Sequence, residues 1–371
     1  MQQTLHDKDI ISGVKKIAIV RANSLGDFIF ALPALEALRR AYKDAEIVLL
    51  GKEWHRAFLE GRPGPVDRVE VIPKCQGMPH ESDHIKDPEE VEQFFSRMRS
   101  EKFDIALQMH GGGRNSNPFT KSLGARISAG HQAPGAMALD INVPYFLHQH
   151  EVLRYLELVS YVGASKLPVE PRLQVTNADR LEVLQKLGEL KKPFVVLHPG
   201  ASDVQRRWAP DNFSIVGNMI MNKGFHVYIT ATGEELAAAE KVYEGMREQG
   251  TLLYNTLSVN GLTALLEEAD LLISNDTGPL HVARSVNTPT IGIYWCGNIV
   301  TAGVVTAKKN RIAISWRYSC PLCGSDCMKE DIHHPSGECK HDASFVDDVT
   351  VDEVAGYVAD LLKYSVKEVV G

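Results

Sequence analysis

Four short stretches of this chain carry side chains able to do chemistry, and a fifth carries side chains able to hold a metal. In Asn23-Ser24-Leu25-Gly26-Asp27 the glycine permits a turn, and the aspartate reads either as a helix cap or as a general base. In His110-Gly111-Gly112-Gly113-Arg114-Asn115 the glycines let a ligand approach the backbone and Arg114 could meet an anion; a surface turn is the plainer reading. Neither loop has the spaced glycines of a dinucleotide site. His198-Pro199-Gly200-Ala201-Ser202 precedes Arg206-Arg207-Trp208, where small residues expose amides and two arginines bring permanent charge suited to a diphosphate. Elsewhere such a pair would be a solvated face. The most informative stretch is Ser274-Asn275-Asp276-Thr277-Gly278-Pro279-Leu280-His281. Pro279 is suited to a helix start, so the amides of Thr277 and Gly278 would lie at its positive end, a ready anion site. His281 falls on the first turn, either facing that ligand or packed as a core or capping histidine.

Cys320, Cys323, Cys327 and Cys339 follow the spacing C-x2-C-x3-C-x11-C, with His333, His334 and His341 nearby. Thiolates so spaced can wrap a tetrahedral zinc, whose role would be structural. Unligated reduced thiols and a redox pair at Cys320 and Cys323 are the other two readings. Four of the six cysteines fall within twenty residues, which in a long chain favours metal or redox chemistry over a disulfide framework.

The elements that must position these residues alternate. Strand-like runs at residues 15–21, 46–51, 69–72 and 103–109 are separated by a helical repeat from Phe28 to Tyr42 and a helix at 88–100 capped by Asp87. The alternation restarts with strands at 194–198, 225–231, 270–275 and 289–295, and a helix at 211–223 stopped by Gly224. Alternation of this kind predicts parallel sheets flanked by helices, with ligands beyond the carboxyl ends of the strands. The four stretches above each follow a strand. A proline-flecked connection near 166–171 divides the chain into domains at 1–170 and 171–371, the second with a Cys-rich insertion at 318–341, and a cleft is expected between them.

Length and charge narrow the function. At ~150 residues per domain, 371 residues suit two domains. With 44% hydrophobic and 23% charged residues and a net charge of −7, the chain reads as globular and lacks the basic excess of a nucleic-acid binder. No apolar run approaches the ~20 residues of a membrane span, and the polar start does not read as a secretory signal. A cytoplasmic protein is expected, with at most peripheral contact at the inner face of the membrane.

Ile19-Val20-Arg21 with Ser24-Leu25-Gly26-Asp27 and Pro33-Ala34-Leu35 resembles the amino-terminal motif of glycosyltransferase family 9, the ADP-heptose lipopolysaccharide heptosyltransferases. His198-Pro199-Gly200-Ala201 with Arg207-Trp208, and Asn275-Asp276-Thr277-Gly278 with His281, are similar to its two donor-domain motifs. The resemblance implies a GT-B fold of two Rossmann-like domains and an inverting transfer with no cofactor required. The first domain would bind a saccharide or glycolipid acceptor, and the second a nucleotide-sugar donor, expected to be ADP-heptose. It implies Asp27 as base; Ser24 and Gly26 beside it, and His110 and Arg114 of the glycine loop, are expected toward the acceptor. Toward the donor it implies His198, Gly200, Arg206 or Arg207, Asp276, Thr277, Gly278 and His281, with a donor-holding glutamate best matched by Glu234 and Glu235 as the alternative. Two departures mark the chain: an arginine where the family has a lysine, and the triple-glycine loop at 110–113. A non-catalytic nucleotide-sugar-binding protein and a GT-B nucleotide-sugar epimerase are the rival readings.

Overall fold

The computed structural model describes residues 10–75, 78, 87–164, 168–325 and 341–363. The chain divides into two compact units, Met1–Gln174 and Val175–Gly371. That division lies four residues beyond the boundary read from the sequence.

The first unit is built on β1 (Lys16–Val20), β2 (Glu46–Gly51), β3 (Arg68–Val71), β4 (Ile105–Gln108), β5 (Ile127–Gln132) and β6 (Ile141–Pro144). Every pairing is parallel, in the order β3-β2-β1-β4-β5-β6. The central strands are nearly unbroken apolar runs, as strands covered on both faces must be. In β1, Ile17 to Val20 are fully buried. The helix at Pro88–Ser100 opens as its sequence predicts, with the Asp87 carboxylate accepting from the amides of Glu89 and Glu90.

The second unit repeats the plan with β7 (Phe194–His198), β8 (His226–Ala231), β9 (Thr251–Tyr254), β10 (Leu271–Asn275), β11 (Thr290–Trp295) and β12 (Asn310–Ser315). The order β12-β11-β10-β7-β8-β9 is again all parallel. Its core gathers Val195, Leu197, Trp208, Phe213, Ile273, Ile293 and Phe345. This pair of doubly wound sheets is the α/β composition expected of a GT-B fold.

Each sheet reverses strand order at its centre, between β1 and β4 in one unit and between β7 and β10 in the other. Loops leaving neighbouring strands at such a switch point diverge to opposite faces and open a crevice. The four chemistry-bearing stretches are the loops that follow β1, β4, β7 and β10.

Candidate active site

In the first unit Asp27 is the third residue of the helix Leu25–Ala41, and Ser24 is its N-cap. The Asp27 carboxylate accepts from the Ser24 amide at 3.1 Å and from the Ser24 hydroxyl at 2.5 Å, both through Oδ2. The capping reading is therefore met, and it leaves Oδ1 facing Arg21 Nη2 at 3.5 Å. Burial alone would raise the Asp27 pKa, but the Arg21 guanidinium and the two Ser24 donors outweigh it and hold the group below the usual carboxylate value. Asp27 is thus a third-exposed anion at neutral pH.

Arg21, 1% exposed, directly follows β1 and sits in a network that the sequence motifs leave without a role. It donates to the carbonyls of Met109 (2.6 Å) and Asp27 (2.5 Å) and to the Tyr155 hydroxyl, and it lies over the Tyr155 ring. Tyr155 in turn donates to Glu151, which pairs with the buried Arg154. A buried guanidinium with this many acceptors has one position available, so the charge beside Asp27 is fixed before any ligand arrives. A charged residue directly after an apolar strand was the one signal in the sequence.

His110 accepts from the Ala22 amide through Nδ1 at 3.2 Å, which leaves the proton on Nε2. Burial, followed by the Arg21 charge, pushes its pKa down to about 3, so the ring is a neutral donor. A cavity of about 660 Å³ lies beside it, lined by Gly111, Arg114, Ala133, Tyr145 and Leu147 among others. Gly113 and Gly111 do different work. Gly113 has φ +88°, and a Cβ there would lie 2.4 Å from both the Asn117 side chain and the His131 carbonyl, so its reason is packing. Gly111, at φ +66°, has open space around it and lines the cavity. Exposed Arg114 leans on the Pro134 carbonyl and lines the same cavity.

In the second unit Asn275, wholly buried at the end of β10, joins three stretches. Its Nδ2 donates to the carbonyls of Pro199 (2.8 Å) and Gly200 (3.3 Å), and its Oδ1 accepts from the Trp208 amide (3.0 Å). Asp276, 3% exposed, accepts from Asn298 at 3.1 Å, pairs with His281 Nε2 at 3.2 Å and faces Arg206 Nη1 at 3.8 Å. Burial would raise its pKa; His281, Arg206 and Asn298 hold it below the usual value. The helix Gly278–Ser285 starts on the Thr277 N-cap with Pro279 in its first turn, and first-turn amides have no intrahelical acceptor. Thr277 and Gly278 are partly exposed.

The structure separates candidates that the sequence left paired. Arg206 reaches the Asp276 turn, whereas Arg207 donates to the Ala201 carbonyl at 2.7 Å and so braces its own loop. Glu235 lies 3.5 Å from His198 Nε2 and fills the space beside Gly200, where a Cβ would come within 2.2 Å of its carboxyl carbon. Glu234 is exposed. His198 is buried, with Nδ1 3.1 Å from the Thr230 hydroxyl. Cys320 is buried and Cys323 exposed, while Cys327 and Cys339 lie outside the described residues.

With this geometry the chain matches the family described as glycosyltransferase family 9 (heptosyltransferase) over residues 91–331. That span holds three of the four loops; Asp27 precedes it. The chain is 22% identical over 288 residues to a lipopolysaccharide core heptosyltransferase, OpsX, of Haemophilus influenzae, covering 76% of this chain and 79% of that one. Its fold resembles the structure of Escherichia coli ADP-heptose LPS heptosyltransferase II, with a TM-score of 0.73, 16% identity and coverage of 94% and 98%. It also resembles E. coli heptosyltransferase WaaC solved with ADP-2-deoxy-2-fluoro heptose, with a TM-score of 0.64, 17% identity and coverage of 93% and 99%. Two doubly wound units and a family match over more than half of the length lead to one conclusion: the chain belongs to glycosyltransferase family 9.

Proposed function

We propose that the protein is an inverting heptosyltransferase that moves a heptose from an ADP-linked donor to a saccharide of a lipopolysaccharide core. The observation that carries this reading is the ionised Asp27 carboxylate at the switch point of the first sheet, held between Arg21 and Ser24. The names of the similar proteins support the choice of sugar and acceptor.

In the proposed step an acceptor hydroxyl attacks the anomeric carbon of the donor while Asp27 takes its proton. The bond between that carbon and the β-phosphate oxygen breaks, and the electron pair leaves with ADP. The amides of Thr277 and Gly278, the positive end of their helix and Arg206 stabilise the charge that develops on the diphosphate. Asp276 and His281 hold the turn and Arg206 in register. Neutral His110 and cationic Arg114 line the cavity we assign to the acceptor. The transfer asks no metal or organic cofactor to take part. Among the described residues no helix is long and apolar enough to cross a membrane. We place the enzyme in the cytoplasm, against the inner face of the membrane, where a glycolipid acceptor is met.

Incubation with ADP-heptose and a core acceptor, followed by mass spectrometry and anomeric NMR of the product, tests the reading. A glycoside of inverted configuration with one ADP released is expected. Donor bound but unchanged would make the protein a nucleotide-sugar binder. A donor sugar altered without acceptor would make it an epimerase.

A further inference from the structure

After β12 the chain makes a tight turn that presents two cysteines. The Cys320 amide donates to the Ser325 carbonyl at 2.8 Å, and the Gly324 amide donates to the Cys320 carbonyl at 2.9 Å. Gly324 has φ +73°, a conformation that side-chain-bearing residues rarely adopt, and it closes the turn. Cys320, 2% exposed, belongs to the core of the second unit and anchors the turn; Cys323 stays at the surface. A third group comes from a distant part of the chain. His341 places Nδ1 3.8 Å from Cys320 Sγ, and the ligand atoms of Cys320, Cys323 and His341 all lie within 4.8 Å of one another. Metal–sulfur bonds of ~2.3 Å and metal–nitrogen bonds of ~2.0 Å at a tetrahedral angle put sulfur and nitrogen about 3.5 Å apart. The observed 3.8 Å is within about 0.3 Å of one edge of such a tetrahedron.

We infer that Cys320, Cys323 and His341 bind a tetrahedral transition metal of the zinc or iron class. Two thiolates and an imidazole select such an ion over magnesium or calcium, which prefer oxygen ligands. Cys327 and Cys339, the other members of the four-cysteine set that the spacing predicts, lie outside the described residues; among the described residues the fold adds a histidine beside the buried cysteine.

What such a metal would join is visible in the hydrogen bonds downstream of His341. The His341 carbonyl accepts from the Gln205 side chain at 3.4 Å, and the Ser344 hydroxyl donates to the Arg207 carbonyl at 2.7 Å. The Phe345 amide donates to the Gln205 carbonyl at 2.7 Å, and the Trp208 indole donates to the Val349 carbonyl at 2.8 Å. Arg317, just before the turn, donates to the Ser344 carbonyl at 2.9 Å. Residues 341–349 are thus a strap laid across the loop that carries Arg206 and Arg207. The metal would clip one end of this strap to the turn after β12, and its binding energy would become stability of the second unit.

The test uses the full chain, purified without chelator and freed of any affinity tag that binds metal, from cells supplied with zinc and iron. Elemental analysis should find about one zinc or iron per chain. Cys323→Ser and His341→Ala alter exposed residues, so both variants should fold, yet each should lose bound metal by about tenfold or more. Stripping the metal from the wild type should lower its melting temperature by roughly 5 °C or more, and neither variant should show a further drop on the same treatment. Metal-free wild-type protein would overturn the inference. So would a His341→Ala protein that keeps its metal and its melting temperature, which would return the site to cysteines alone. These readouts use no sugar donor, so they stand or fall apart from the proposed transfer.

Discussion

Asn275→Ala and Asn275→Asp together test whether one buried amide holds the donor-side loops in place. Asn275 is fully buried and makes three hydrogen bonds, two donated to carbonyls and one accepted from the Trp208 amide. Alanine deletes all three and leaves the partner groups without water to replace them. At about 1 kcal/mol net per bond, and less for the contact at 3.3 Å, the loss is about 2–3 kcal/mol. For a unit of this size that lowers the melting temperature by roughly 4–12 °C. Aspartate has the same shape and keeps the acceptor for Trp208, but it turns a carboxylate oxygen toward the carbonyls of Pro199 and Gly200. In a buried site this repulsion should make Asn275→Asp about 1–2 kcal/mol worse than alanine. Trp208 immediately follows the arginine pair, so freeing its amide should also loosen Arg206 and weaken ADP binding by roughly tenfold or more. Calorimetric melting and ADP titration measure the two effects. If Asn275→Asp melts with the wild type, shape alone matters at this position and the hydrogen-bond argument fails.

Other expectations follow from the same geometry. Asp27→Asn should lower transfer by about 10² to 10⁴-fold with ADP affinity nearly level, measured by steady-state kinetics and titration; normal turnover would leave Asp27 a cap. Because the folded Asp27 pKa lies below its ordinary value of 3.8, its ion pair contributes fully above that pH and is lost as pH falls through the lower folded value. The melting-temperature difference between wild type and Asp27→Asn should therefore hold constant from about pH 8 to pH 5 and shrink only in stronger acid. Shrinkage already at about pH 6 would mean that burial wins over Arg21. Gly278→Val puts a branched side chain at the first helical position, where the proposed diphosphate meets the amides. Calorimetry should show ADP binding weakened about tenfold, or about 1.4 kcal/mol, in a protein that melts near the wild type.

Local signals in the sequence specify the class of fold and the loops that follow its inner strands. The inner strands β1, β2, β7, β10 and β11 are near-continuous apolar runs, and turn and capping residues punctuate them, which are local signals. Asp87 caps its helix with its carboxylate, and Ser24 and Thr277 occupy the N-cap positions of theirs. Four loops after strands were legible for the same reason. The outer strands were harder to read. β5 carries serine, glycine and histidine, β6 ends in a proline that a sheet edge tolerates, and β9 has four residues. Their pairing depends on the strand already in place beside them.

Only the tertiary structure could choose between neighbours. Glu234 and Glu235 are the same residue type one position apart, and only Glu235 is set against His198 at the end of β7 while Glu234 is exposed. Arg206 and Arg207 are separated by the position of Asp276, 70 residues away from Arg206. Arg21 acquires its fixed charge from Tyr155, 134 residues on, and Cys320 acquires His341 as its neighbour across 21. Local propensity is written in residues three or four apart, but the pKa of a carboxylate and the ligand set of a metal depend on groups that share a volume. Those groups become neighbours only when the sheets have formed and the loops beyond their carboxyl ends have been brought together.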